Sequence, residues 1–88
     1  MSELRDTGDR YEHVEQGYTT YADYRRTDDR LYIDYVYTPV PMRGSGASGR
    51  LMEAVAADAR RRGLKITPVC GYAAAWLRRS DEFRDLMA

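Results

Sequence analysis

The sequence predicts a single domain of the α/β class, of the α+β kind, with a mixed and mainly antiparallel sheet, one long helix and a short C-terminal helix. Three strand-like runs rich in tyrosine and threonine come first, and short turns between them indicate antiparallel neighbours. A glycine-rich stretch then separates the third run from a segment with the period of a helix. A chain of 88 residues is enough for one such domain.

The first half of the chain is predicted to hold three strands behind a loose tail. Residues 1–10 are charged and have no hydrophobic period, so we expect a flexible tail followed by one domain over residues 11–88. The strand-like runs are Tyr11–Glu15, Tyr18–Arg26 and Leu31–Thr38, with turn residues between them. We expect these runs to form an antiparallel meander.

The third run has the clearest alternation. Its apolar and aromatic residues at every second position are expected to share one face of the sheet, and they are Leu31, Ile33, Tyr35 and Tyr37. Pro39 and Pro41 follow this run. Because proline cannot donate a hydrogen bond to a sheet, the strand should end there.

The second half of the chain is predicted to be mainly helical. Apolar residues three and four positions apart predict a helix over Ser48–Arg62, and Gly63 is a typical residue just beyond a helix end. A short strand over Leu64–Cys70 should return parallel to the third strand through a right-handed crossover. A second helix is expected over Gly71–Arg79, and Ser80 is a typical cap for a final turn.

The stretch between the third strand and the long helix is the strongest candidate for a binding site. Gly44-Ser45-Gly46-Ala47-Ser48-Gly49 fits both a dinucleotide loop and the glycine spacing of a P-loop. The P-loop fails because Arg50-Leu51 stands where lysine and serine or threonine are required. The dinucleotide loop fails because the next strand carries no carboxylate. The third possibility is the loop R/Q-x-x-G-x-G/A, which begins at Arg43.

Composition excludes several classes of protein. The formal net charge is zero, which gives no argument for nucleic acid or an acidic membrane as partner. A single cysteine cannot form an internal disulfide, and no Cys/His spacing indicates a metal site. No apolar run approaches the roughly 20 residues of a membrane span. We therefore expect a soluble, cytoplasmic protein without a metal.

The order of these elements and motifs resembles the GCN5-related N-acetyltransferase superfamily, and within it the small single-domain branch. The likeness runs from about Tyr11 to the C-terminus. It is carried by Tyr37-Thr38-Pro39-Val40-Pro41, Arg43-Gly44-Ser45-Gly46-Ala47-Ser48, Ala59-Arg60 with Gly63-Leu64-Lys65, Pro68-Val69-Cys70, and Ser80-Asp81-Glu82-Phe83-Arg84-Asp85-Leu86.

The resemblance implies that acetyl-coenzyme A binds between the third strand and the strand that ends at Cys70. Its pyrophosphate would rest on backbone N–H groups of the loop, at Arg43, Gly44, Ser45, Gly46, Ala47 and Ser48. The strand before the loop would hold the pantetheine arm and polarise the acetyl carbonyl, at Tyr37, Thr38 and Val40. Two residues depart from the family pattern: Ser48 stands at the final Gly/Ala position, and Tyr37 stands where this branch often has histidine.

Two residues are candidates for the chemistry of acetyl transfer. Cys70 ends a strand near the expected thioester, where a thiolate could accept the acetyl group, although a free cysteine is commonly a small buried residue. Tyr72 lies where the superfamily often has a tyrosine that protonates the departing thiolate, although an inward core aromatic is the commoner role. His13 is the chain's one histidine, and we expect it on the surface.

The resemblance implies an N-acetyltransferase that moves the acetyl group of acetyl-coenzyme A to an amine. A chain this short leaves little material for a deep acceptor pocket, so a protein terminus or lysine fits better than a buried metabolite. The competing hypothesis is a module that binds coenzyme A without catalysis and acts as a sensor or partner.

Overall fold

The structure is a computed structural model, and it describes residues 4–88. Five strands and two helices follow one another, with a 3-10 turn at Val40–Met42 and another at Arg84–Leu86. The strands are β1 (Leu4–Asp6), β2 (Arg10–Glu15), β3 (Tyr18–Arg26), β4 (Arg30–Tyr37) and β5 (Lys65–Pro68), and the helices are α1 (Ala47–Arg61) and α2 (Gly71–Arg79).

The five strands form one sheet in sequence order. The pairs β1–β2, β2–β3 and β3–β4 are antiparallel, and β4–β5 is parallel. Helix α1 lies between β4 and β5 in the chain, because parallel neighbours require a crossover connection. The predicted mixed, mainly antiparallel sheet with one long and one short helix is confirmed.

The N-terminal segment differs from the expected flexible tail. Leu4–Asp6 forms β1 and pairs with β2 from Tyr11 to His13, while Leu4 packs against the core. The Tyr24 hydroxyl donates a hydrogen bond to Asp6, which ties this edge strand to β3. Cross-strand pairing stabilises a segment that has no hydrophobic period of its own. Residues 1–3 of the expected tail lie outside the described residues.

Strand β4 changes the direction of its side chains part-way along. Tyr24 pairs with Ile33, but Asp23 pairs with Tyr35, so Asp34 is an extra residue on β4 and forms a β-bulge. Before the bulge, Leu31 and Ile33 are fully buried beneath the helices. Beyond it, alternation has shifted by one residue. The prediction that Tyr35 and Tyr37 share a face with Leu31 and Ile33 is therefore wrong.

Both tyrosines project from the side of the sheet opposite to α1. Tyr35 is 51% exposed, and the ring of Tyr37 stacks on that of Tyr21 with centroids 5.1 Å apart. Val36 takes the inward position instead and packs against the core. Beyond the bulge, β4 therefore directs Val36 towards the core and Tyr35 and Tyr37 towards the outer face of the sheet.

The core lies between α1 and the inner face of the sheet. Helix α1 buries an apolar stripe that matches its predicted period, consisting of Leu51, Met52, Val55, Ala56 and Ala59. The C-terminal turn closes one end of this core with Phe83 and Leu86. The Phe83 N–H donates to Ser80 Oγ at 3.1 Å, in the manner expected of a capping serine. Among the described residues, no helix is long and apolar enough to cross a membrane.

Candidate functional site

A notch opens in the sheet where the parallel pairing of β4 and β5 stops. The pairing runs from Arg30–Lys65 to Ile33–Pro68. The N–H groups of Val69 and Cys70 then both donate to the Ile33 carbonyl, at 2.9 and 3.0 Å, as the chain turns away into α2. Strand β4 continues to Tyr37 without β5 beside it, so backbone groups on this edge are left open to a ligand.

A pocket of about 370 Å³ occupies this notch. The end of β4, the glycine loop and the start of α2 form its walls. Its lining residues are Tyr35, Val36, Tyr37, Thr38, Met42, Arg43, Gly44, Gly46, Ala47, Ser48 and Tyr72. The pocket therefore reaches both surfaces of β4: Tyr35 and Tyr37 line it from the outer face, and the loop and Tyr72 from the helical side.

Two glycines give the loop its shape. Gly44 has a φ of 83° and Gly46 a φ of 87°, in the left-handed region that residues with a Cβ seldom adopt. Gly46 immediately precedes α1, and a Cβ placed on it would lie 3.0 Å from a guanidinium nitrogen of Arg50. The backbone conformation therefore favours glycine at position 46, and a Cβ there would also press on the end of the Arg50 side chain.

The loop and the first turn of α1 present free backbone donors to the pocket. Arg43 N–H and Ser45 N–H are used, since they donate to the carbonyls of Val40 and Met42. Within residues 4–88, the N–H groups of Gly44 and of residues 46–49 have no hydrogen-bond acceptor. Converging N–H groups at a helix N-terminus form a site for an anion such as a phosphate.

Most of the loop and strand residues predicted from the sequence do meet in this pocket. Tyr37, Thr38, Arg43, Gly44, Gly46, Ala47 and Ser48 all line it. Val40 and Ser45 do not: Val40 is 67% exposed in the 3-10 turn, and the Ser45 hydroxyl donates to the Met42 carbonyl at 2.6 Å. Tyr35, Val36 and Met42 also line the pocket but were not predicted from the sequence, because their positions depend on the bulge and on the turn after β4.

Tyr72 differs from the expected inward aromatic. It is 38% exposed, lines the pocket from the start of α2, and its hydroxyl accepts a hydrogen bond of 2.9 Å from the Ser48 hydroxyl. This contact joins α2 to the first turn of α1 across the pocket. Tyr72 therefore holds a phenol beside the free N–H groups of the loop.

Cys70 has a different setting from Tyr72. It is the cap residue before α2, is half-buried, and packs against the core. The pocket lining includes Tyr72, two positions further on, but not Cys70. The structure thus brings Tyr72 and the loop together, whereas Cys70 is not among the residues that line the pocket.

Two arginines make hydrogen bonds that hold the loop and the turn before it. Arg43 Nε donates to the Thr38 carbonyl at 3.0 Å, so Arg43 closes the turn that precedes the loop. Arg50 donates from Nη1 to the Ser45 carbonyl at 3.0 Å, and from Nε and Nη2 to both carboxylate oxygens of Glu15 at 2.7 and 2.9 Å. Hydrogen bonding from Arg50 holds the pKa of Glu15 below its usual value. Arg50 therefore positions the loop, a role that the loop motif at residues 43–48 did not predict.

His13 is buried, contrary to the surface position expected from the sequence. Its side chain is 3% exposed on the inner face of β2. No group of three or more His, Cys, Asp or Glu side chains in residues 4–88 is arranged to hold a metal ion. His13 is therefore neither a surface residue nor part of a recognisable metal site.

The comparison with family models agrees with the fold. Residues 10–86 match the model described as GCN5-related N-acetyl-transferase. The chain belongs to the GCN5-related N-acetyltransferase family. This family member has no match among the curated proteins.

A solved structure supports the assignment of the fold. The NMR structure of a GCN5-like protein from Staphylococcus aureus, proposed to be an N-acetyltransferase, superposes with a TM-score of 0.70. The alignment covers 98% of this chain and 87% of the other, with 23% sequence identity. At this identity, the likeness establishes a shared fold for this N-acetyltransferase family member.

Proposed function

We propose that this protein binds acetyl-coenzyme A in the pocket and transfers the acetyl group to an amine acceptor. The observation that carries the proposal is the set of free N–H groups at the start of α1, beside the open edge of β4. The loop from Arg43 to Ser48 would hold the pyrophosphate through these groups. The glycine at position 46 fits this role, because a side chain there would meet Arg50.

The open edge of β4 supplies the second part of the binding site. Its backbone groups near Tyr37 and Thr38 no longer pair with β5 and are available to the pantetheine arm. When bound, acetyl-coenzyme A supplies an activated thioester whose carbonyl carbon can be attacked by an amine. A backbone N–H of β4 can stabilise the negative charge that develops on the carbonyl oxygen.

Tyr72 is better placed than Cys70 to take part in the chemistry. The amine forms a bond to the carbonyl carbon, the carbon–sulfur bond breaks, and the leaving thiolate needs a proton. Tyr72 holds its hydroxyl in the pocket and can supply that proton, while the proton released by the amine passes to solvent. We therefore propose direct transfer with Tyr72 as the acid and Cys70 as a structural residue.

The outer wall of the pocket faces the acceptor in this proposal. Tyr35 and Tyr37 stand on the side of the sheet opposite to α1 and line the pocket there. An amine can reach the β4 edge from that side while the loop holds the pyrophosphate on the other. An open, shallow surface favours an amine carried on a protein or peptide over a small, fully enclosed metabolite.

Incubation with acetyl-coenzyme A labelled in the acetyl group tests this mechanism, with peptides and small amines as acceptors. Tyr72→Phe should lower kcat by roughly 100-fold with little change in KM, as expected for loss of a general acid. Ser48→Ala is the matched control, because it removes the same hydrogen bond but keeps the phenol. Cys70→Ala should transfer label normally.

Three results would contradict the proposal. Stable label on Cys70 that amines chase off would instead establish an acetyl-enzyme. Equal loss in Ser48→Ala and Tyr72→Phe would assign Tyr72 a structural role. Tight binding of acetyl-coenzyme A, with neither transfer nor hydrolysis, would establish the non-catalytic binding module.

A further inference from the structure

His13 has a buried nitrogen with no hydrogen-bond partner. In the part of the chain that the structure describes, its Nδ1 is the buried side-chain polar atom left unpaired. Buried polar atoms nearly always have a partner, because an unpaired one carries an uncompensated loss of hydration. An exception of this kind calls for a physical explanation.

Among residues 4–88, the charged groups around His13 lie on its own strand and on α1. Glu15 shares the inner face of β2, and its Oε2 lies 3.7 Å from His13 Nδ1, too far for a hydrogen bond. Arg50 and Glu53 of α1 line a cavity of about 270 Å³ together with His13. The residues paired with His13 on the neighbouring strands are Leu4 and Thr20, which carry no charge. The cavity is large enough to bring water to the imidazole.

Glu15 connects His13 to the glycine loop. Both of its carboxylate oxygens are held by Arg50, and the third donor of the same guanidinium reaches the Ser45 carbonyl. That guanidinium also fills the space beside Gly46. A change in the contact between Glu15 and Arg50 is therefore transmitted to the residues that shape the loop.

We propose that His13, Glu15 and Arg50 position the glycine loop and make its affinity for acetyl-coenzyme A dependent on pH. This inference rests on the proposed function for its consequence in binding. With neutral His13, Glu15 is fully engaged with Arg50, and Arg50 holds the Ser45 carbonyl. The loop keeps the shape that turns its free N–H groups towards the pocket.

Protonation reverses this arrangement. As the pH falls, solvent in the cavity beside His13 supplies a proton to the imidazole. The imidazolium Nδ1–H then competes for Glu15 Oε2, and its charge repels the guanidinium of Arg50. Arg50 is drawn from the Ser45 carbonyl, the loop loosens, and affinity for acetyl-coenzyme A falls.

The coupling can be measured without any ligand. NMR spectra of the protein would follow the His13 imidazole and the backbone amides of Gly44 and Gly46 from about pH 8 to about pH 5. We expect the two amides to shift along the titration curve of His13. In Glu15→Gln the amides of Gly44 and Gly46 should no longer follow the imidazole signal. Loop amides that ignore the titration of His13 in the wild type would overturn the inference.

Calorimetry with acetyl-coenzyme A tests the consequence for binding. Between about pH 8 and pH 5.5, wild-type affinity should fall roughly fivefold more than that of His13→Phe, a loss expected for one weakened ion pair. The ligand's own ionisation cancels in this comparison. His13→Asn serves the same purpose if phenylalanine prevents folding.

The two proposals fail in different ways. If acetyl-coenzyme A does not bind at any pH, the proposed function is wrong, while the loop amides still decide the coupling. If it binds with the same pH dependence in wild type and His13→Phe, the pH-dependent positioning is wrong and the proposed function stands.

Discussion

The two ends of α1 both carry arginine–carboxylate contacts of similar length. They differ in the backbone groups beside these contacts, which are hydrogen-bonded at the C-terminal end and free at the N-terminal end. At the C-terminal end, Asp58 accepts hydrogen bonds from Arg61 at 2.7 Å, from Arg62 at 2.8 Å and from the Tyr11 hydroxyl at 3.2 Å. Gly63 then ends the helix with a φ of 72°. The carbonyls of Asp58, Ala59 and Arg60 also accept hydrogen bonds from N–H groups just beyond the helix, and the buried Tyr11 ties the helix to β2.

At the N-terminal end, the ion pair of Arg50 and Glu15 shapes the loop but does not occupy its donors. Gly44 and residues 46–49 keep free N–H groups beside the pocket. A helix N-terminus is usually closed by a side-chain cap, and no such cap is present at Gly46. The comparison shows that one helix stabilises the fold at its C-terminal end and leaves its N-terminal end available for a ligand.

The largest expected loss of affinity comes from placing a side chain at Gly46 in the loop. Gly46→Val would place a side chain at a positive φ and against Arg50, so we expect acetyl-coenzyme A to bind at least roughly 100-fold more weakly. Gly63→Val is the matched control at the other end, because its φ is also positive but its Cβ would meet nothing within 4 Å. It should lose stability and keep its affinity. Calorimetry at pH 7 decides, and equal affinity in wild type and Gly46→Val would remove the loop from the binding site.

The next effect concerns stability and not binding. Asp58→Asn should lower the free energy of unfolding by about 2 kcal/mol at neutral pH, because a buried acceptor of several charged and neutral hydrogen bonds is lost. Asp85→Asn removes an exposed carboxylate whose contact to Arg60 is also 2.8 Å, and it should change stability little. Denaturant unfolding followed by circular dichroism measures both. Acetyl-coenzyme A affinity should be unchanged in the folded Asp58→Asn protein.

The contribution of Asp58 to the free energy of unfolding should also be lost at acid pH. Burial acts to raise its pKa, but hydrogen bonds and charge from Arg62, with Tyr11 and Arg61, outweigh burial and hold the pKa below its usual value of 3.8. The native carboxylate therefore binds its proton at lower pH than the unfolded one, and the stabilisation is lost as the pH falls below 3.8. The difference between wild type and Asp58→Asn should shrink in that range. A constant difference down to the acid limit would contradict this assignment.

The smallest effect is expected at the turn before the loop. Arg43→Ala removes the contact to the Thr38 carbonyl and one exposed positive charge, so affinity for acetyl-coenzyme A should fall roughly threefold. Arg78→Ala, on the last turn of α2, removes the same charge away from the pocket and should leave affinity unchanged. A loss in Arg43→Ala as large as in Gly46→Val would mean that the side chain, and not the loop backbone, holds the ligand.

Local patterns predicted most of the fold. The bounds of α2 agree with the prediction, and α1 begins and ends one residue earlier than expected. The loop was located from its glycines alone. The strand at Leu4–Asp6 was not predicted, because its stability comes from pairing with β2 and from the contact of Tyr24 with Asp6. Such contacts join residues far apart in the chain and leave no local period.

The candidate site was predicted in part, for the same reason. Gly46 was predicted from the glycine-rich loop and Tyr37 from the family resemblance, whereas Tyr35 was predicted only to share a face with Leu31 and Ile33. The bulge at Asp34 turns it outward. Arg50 was noted only as the residue that excludes a P-loop, and its contact with Glu15 spans 35 positions of the chain.

The sequence by itself determined the class of fold, the family likeness and the two loop glycines, because helix period, turn chemistry and positive φ are properties of residues close together in the chain. Only the tertiary structure decided which groups share the pocket. The bulge on β4, the end of its pairing with β5 and the burial of His13 beside Glu15 arise from contacts between distant segments. Those contacts are set by packing and register, which a local pattern does not encode.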